Sequence, residues 1–127
     1  MYNITQEMKN EYQKARKAMI KQWDYLEKAI PRIKHWAKKN NCKIYKIECI
    51  PIFGEELDML IFYKTNLELE MFKTKKITDL TKKEFIAILE EIGYTTEFNN
   101  NIRINFDSDE NVKKNYQGNY GLRLTDD

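Results

Sequence analysis

The feature that most constrains this chain is an apolar rhythm at its N-terminus. Ile4, Met8, Tyr12, Ala15, Met19, Trp23, Leu26, Ile30 and Ile33 recur at steps of three and four. At 100° per residue they fall on one arc, which predicts a long amphipathic helix. Asn3 and Gln6 have the spacing of a capping box. Pro31 lacks an N–H and clashes with the preceding turn, so the helix is expected to break or kink near residue 30. A short continuation would end at Asn40-Asn41, because Asn tolerates the left-handed conformation.

Alternation with a period of two then takes over. Tyr45 to Phe53, Leu57 to Tyr63 and Leu67 to Met71 read as three strands, with turns at Gly54-Glu55-Glu56 and Thr65-Asn66. Thr81-Lys82-Lys83-Glu84 has the spacing of a capping box, followed by Phe85, Ile88, Leu89 and Ile92 on one helical face and by Gly93 as a stop. Tyr94 to Phe98 and Ile102 to Phe106 read as short strands. Asp107 or Ser108 would cap a last helix, with Glu110 completing the box and Gly118 ending it. Tyr120 to Leu124 reads as a final strand. The expectation is one α+β domain over 1–127, in the order α-β-β-β-α-β-β-α-β. Its antiparallel sheet of five to six strands would carry helices on one face.

The chain has 127 residues, 42% of them hydrophobic, which is enough for a buried core and sets global disorder aside. No apolar run approaches the ~20 residues of a membrane-spanning helix. The polar start of the chain lacks a signal-peptide core, so a cytoplasmic protein with no membrane association is expected. Cys42 and Cys49 lie seven apart in one expected strand, which puts them on opposite faces and ~23 Å apart. Two reduced, partly buried thiols are expected.

The chemistry-bearing residues are sparse. His35 is the one histidine and Ser108 the one serine, so a nucleophilic triad would have to use both. His35 falls on the polar side of the first helix. His35, Cys42 and Cys49 lack the close pairing of a zinc site. The acidic run from Asp107 to Glu110 lacks the glycine and glutamate of a calcium loop, with Val112 and Gly118 in those places. No catalysis, metal or cofactor is expected.

Charge is divided along the chain. Residues 1–50 hold 12 Lys/Arg against 5 Asp/Glu, and residues 51–127 hold 10 against 15. Lys14, Lys17, Lys21 and Lys28 project together on the first helix, opposite its apolar arc. They read either as a solvated face or as an anion-docking ridge. Glu55, Glu56 and Asp58, with Asp107, Asp109 and Glu110, read either as dispersed solvating charge or as a surface for a basic protein. Tyr116 and Tyr120, set among Asn, Gln and Gly, read either as edge packing or as rigid aromatic anchors of a binding surface.

Two functions follow as expectations. The first is a non-catalytic protein-binding module, an immunity-type or antitoxin-type inhibitor of bacterial origin that occludes a basic toxin. Its site would be Glu55, Glu56, Asp58, Asp107, Asp109, Glu110, Tyr116 and Tyr120. The alternative is RNA binding through Lys14, Lys17, Lys21 and Lys28, with Lys82 and Lys83 gripping phosphate at the start of the second helix. The opening α-β-β-β-α order matches that of double-stranded-RNA-binding domains. The overlong first helix and the acidic Gly54-Glu55-Glu56 loop depart from that family, so membership is not inferred. The near-heptad rhythm of the first helix also allows a homodimer.

Overall fold

The computed structural model of the chain describes residues 5–126. Helix α1 (Gln6–Lys39) leads into strands β1 (Lys46–Ile52) and β2 (Glu56–Tyr63). Helices α2 (Asn66–Thr74), α3 (Ile77–Glu91) and α4 (Tyr94–Glu97) follow, then strand β3 (Ile102–Ser108) and helices α5 (Asp109–Asn115) and α6 (Tyr120–Leu124). The sheet has three strands in the order β1-β2-β3, antiparallel between β1 and β2 and parallel between β2 and β3. The α+β class and the long first helix stand. The antiparallel sheet of five to six strands and the α-β-β-β-α-β-β-α-β order do not.

Three expected strands are helical, each for a local reason. Leu67 to Met71 lies in α2. Thr65 is the N-cap, its hydroxyl accepting from the Glu68 N–H at 3.1 Å and donating to the Glu68 carboxylate at 3.2 Å. Thr65-x-x-Glu68 has the sequence of a capping box, and this cap outweighs the short alternating run that follows. Tyr94 to Phe98 is a single helical turn that opens at Gly93, where φ is +97°. Tyr120 to Leu124 is α6, capped by the Asn119 side chain on the Leu122 N–H at 3.1 Å. With residues 66–97 folded as a helical crossover, β3 returns parallel to β2, as such connections require.

Other boundaries shift as well. The N-cap of α1 is Thr5, whose hydroxyl accepts from the Met8 N–H; Asn3 lies outside the described residues. Helix α3 begins at Ile77, so Thr81 sits inside it and donates its hydroxyl to the Ile77 carbonyl at 2.9 Å instead of capping. Ser108 does cap α5, accepting from Asn111 N–H. Pro31 does not break α1, which runs through it. Ala29, Ile33 and Ala37 are fully buried on either side of it, and that packing outweighs the lost hydrogen bond at the exposed proline. Cys42 precedes β1 instead of sharing a strand with Cys49; both thiols are buried and free.

The core lies on one face of the sheet. Leu57, Met59, Ile61 and Tyr63 of β2, with Ile104 of β3, pack against Leu26, Ala29, Ile33 and Ala37 of α1, Phe72 of α2, and Phe85, Ile88 and Leu89 of α3. The opposite face carries Asp58, Leu60 and Phe62 of β2 beside Arg103, Asn105 and Asp107 of β3. Helix α6 lies over this face, and at its far end the Tyr120 ring meets Phe62 edge-on at 4.8 Å. No helix among the described residues is long and apolar enough to cross a membrane.

Candidate protein-binding surface

Helix α1 divides at Gln22. The buried residues of the helix are Gln22, Leu26, Ala29, Ile33 and Ala37, and none of its described residues before Gln22 is buried. At 1.5 Å per residue, Gln6 to Lys21 makes ~24 Å of helix whose inner end alone touches the body.

Gln22 fastens that junction. Its amide nitrogen donates to the Glu56 carbonyl at 3.0 Å and to the Tyr94 hydroxyl at 2.9 Å. Its amide oxygen accepts from the Gly54 N–H at 2.9 Å. One fully buried side chain thus ties α1 to the β1–β2 hairpin and to α4. Gly54 has φ of +75°, and a Cβ there would stand 2.8 Å from the Ala18 Cβ, so only glycine lets the hairpin sit this close. Lys21 pairs with Glu97 at 2.9 Å, and Glu97 also accepts from the Tyr25 hydroxyl at 3.0 Å. The sequence signal for Gln22 was a polar residue on the apolar arc, between Met19 and Leu26.

Beyond the junction the apolar arc continues with only partial cover. Met8 is 42% exposed and Tyr12 67%, while Ala15 and Met19 are half-buried. Ile20 and Trp23, on the adjoining strip, are 54% and 42% exposed. Isolated exposed apolar residues are ordinary, whereas these lie close together on one helix.

The expected site residues are scattered. Glu55 and Glu56 lie at the hairpin and Asp58 on the outer sheet face, held by Arg103 at 3.0 Å through both oxygens. Asp107 adjoins Phe62 at the other end of the sheet, ~20 Å along β2 from Glu56 at 3.3 Å per residue. The two acidic groups therefore form no common surface. Asp107 and Asp109 are buried. Asp107 accepts from Arg123, from Asn111 and from the Ser108 N–H, while Asp109 accepts from Tyr120 and pairs with Lys113 at 2.9 Å. Burial pushes the Asp109 carboxyl up, but hydrogen bonds from Tyr120 and Lys113 outweigh it and hold the group below its ordinary value. Glu110 accepts from the Asn66 N–H at 2.9 Å, and the Tyr116 hydroxyl donates to Asp126. Lys46 lies over the Tyr120 ring at 4.0 Å. These residues clasp the C-terminal helices to the sheet, a use for Tyr116 and Tyr120 in packing.

Among the lysines, Lys14, Lys17 and Lys28 are exposed on α1, and Lys21 is engaged with Glu97. Lys82 and Lys83 are exposed within α3, past its first turn, and so do not stand at a helix N-terminus. A cavity of about 510 Å³ opens on the outer sheet face between Leu60, Arg103 and Asn105 of the sheet and Arg123 and Leu124 of α6. Lys73, Asp58 and Asp126 also line it, so its charge is mixed. No group of three His, Cys, Asp or Glu able to hold a metal ion occurs among the described residues. No model of a known family, no curated protein and no solved structure matches this chain.

Proposed function

We propose that this chain is a non-catalytic protein-binding module that docks through the projecting half of α1. The observation that carries the reading is the exposed apolar set of Met8, Tyr12, Ile20 and Trp23, with half-buried Ala15 and Met19 among them. Full burial of one large apolar side chain is worth about 1.5–3 kcal/mol. Covering several half-exposed ones contributes favourably to docking, against the entropy cost of association. The Gln22 hydrogen bonds fasten the root of the projecting half to the body. Within this reading the class is an inhibitor of immunity or antitoxin type, acting by occlusion. The encounter on this reading is cytoplasmic, in keeping with the unpaired thiols of Cys42 and Cys49.

The test is capture by the tagged full chain from nuclease-treated lysate, alongside a Met8→Ser/Tyr12→Ser variant. The expected result is a stoichiometric protein complex that survives moderate salt with the wild type and is lost with the variant. Identical capture by both chains overturns the reading, as does retention of nucleic acid alone when nuclease is omitted.

A further inference from the structure

We infer that the segment docking on this stripe is an amphipathic helix of a different protein, with acidic residues along one edge of its apolar face. This rests on the protein-binding reading above and names the chemistry of the partner.

The shape of the stripe fits a helix. Met8, Ala15, Gln22 and Ala29 repeat at steps of seven, as do Tyr12, Met19, Leu26 and Ile33. These are the two seam positions of a coiled coil. From Gln22 onward the seam is filled by the protein's own sheet and α3, and from Met8 to Met19 it is open or only half-covered. The open part is ~16 Å long, about three helical turns. Because the same face of α1 is used throughout, the body stands on the side toward which the open stripe points. The stripe and the body form a corner, and the hairpin tip that meets Ala18 there carries exposed Phe53. A helix about 10 Å wide fits such a corner. A flat bilayer does not, since the body would hold it away from the stripe.

The charge beside the stripe fits an acidic edge. On one side of the seam stand Lys9, Arg16 and Trp23, again at steps of seven. Gln6, Gln13 and Ile20 lie just behind them, so no carboxylate shares that edge from Gln6 to Trp23. On the other side Glu7 and Glu11 mix with Lys14 and Lys21. A helix seated in the seam therefore meets an uncompensated basic edge, and acidic residues facing it are favoured.

The same geometry disfavours a second copy of this chain. Parallel pairing would drive the second helix into the space that the body occupies from Gln22 onward. Antiparallel pairing, centred between Tyr12 and Ala15, sets Lys9 of each copy near Arg16 of the other. Like charges facing across a seam are destabilising.

The test uses the full chain and two dye-labelled synthetic helical peptides with the same Leu/Ile seam. One carries Glu along both edges and the other Lys, and binding is read by fluorescence anisotropy. The Glu peptide is expected to bind at least about tenfold tighter than the Lys peptide, with the gap closing as salt rises. Tyr12→Ser should abolish binding, and Lys9→Glu with Arg16→Glu should reverse the preference. All three positions are exposed, so these variants keep the fold.

Equal binding of both peptides, still lost with Tyr12→Ser, overturns the acidic-helix inference while leaving the stripe as a protein-binding surface. Binding of neither peptide overturns the inference too, and the wider reading then stands or falls on whether capture from lysate depends on Met8 and Tyr12. Dimerisation that Tyr12→Ser dissolves, seen by sedimentation, overturns it in favour of a second copy. Tyr12-dependent binding to vesicles of anionic phosphatidylglycerol overturns it in favour of a membrane.

Discussion

The two halves of α1 carry the same apolar pattern and have opposite fates. From Gln22 to Lys39 the stripe of Leu26, Ala29, Ile33 and Ala37 is fully buried against the sheet and α3. From Gln6 to Lys21 the stripe is half-buried at Ala15 and Met19 and exposed at Met8 and Tyr12. The difference teaches that periodicity records a face built for burial and says nothing about what buries it. In the inner half the cover is the protein's own body; in the outer half, on the proposal above, it is another protein.

Urea unfolding separates the halves most sharply. Leu26→Ala removes a fully buried side chain, and a loss of about 3 kcal/mol is expected. A loss below about 1 kcal/mol would mean that the inner half is not held as described.

Gln22→Ala tests the junction. It strips partners from the Gly54 N–H, the Glu56 carbonyl and the Tyr94 hydroxyl at a buried site, so about 2 kcal/mol should be lost. Gln22→Glu should be no better tolerated, because the carboxylate cannot donate to the Glu56 carbonyl.

Alkaline pH acts on the body. Burial pushes the Cys49 thiol from 9.0 to about 12 and the Tyr63 hydroxyl from 10.0 to about 12. A raised folded pKa means that the unfolded chain loses its proton first. The stability these groups supply is complete below about pH 9 and is lost as pH rises toward 12. Urea midpoints at pH 9, 10 and 11 should fall. Cys49→Ala should flatten that fall by up to about 1.4 kcal/mol per pH unit. An unchanged slope would place Cys49 in contact with solvent.

The smallest effect belongs to the outer half. Tyr12→Ser should change stability by less than about 0.5 kcal/mol while abolishing partner capture. A large loss of stability would show that Tyr12 packs within the protein's own fold, and the contrast between the halves would disappear.

Much of the local structure was legible in sequence. The 3.6-residue rhythm marked α1, alternation marked β1, β2 and β3, Ser108 capped α5, and Gly93 stopped α3. Misreadings came where a short apolar alternation fits either a strand or a helix. Leu67, Leu69 and Met71 alternate, yet Thr65 and Glu68 supply the start signal that makes the segment α2. Asp107, Asp109 and Tyr120 looked like surface groups because their partners Arg123, Asn111, Lys113 and Phe62 include residues brought close only by folding.

The sequence by itself determined the amphipathic first helix, its apolar stripe and its flanking charges, because these depend on residues three, four and seven apart. Tertiary structure decided that β3 returns parallel to β2, because a helical crossover separates them. It decided that Pro31 stays inside α1, because buried neighbours outweigh one missing hydrogen bond. It also decided where the cover over the stripe ends. That boundary falls at Gln22, where one buried amide meets a hairpin, a glycine and a tyrosine from segments far apart in the chain.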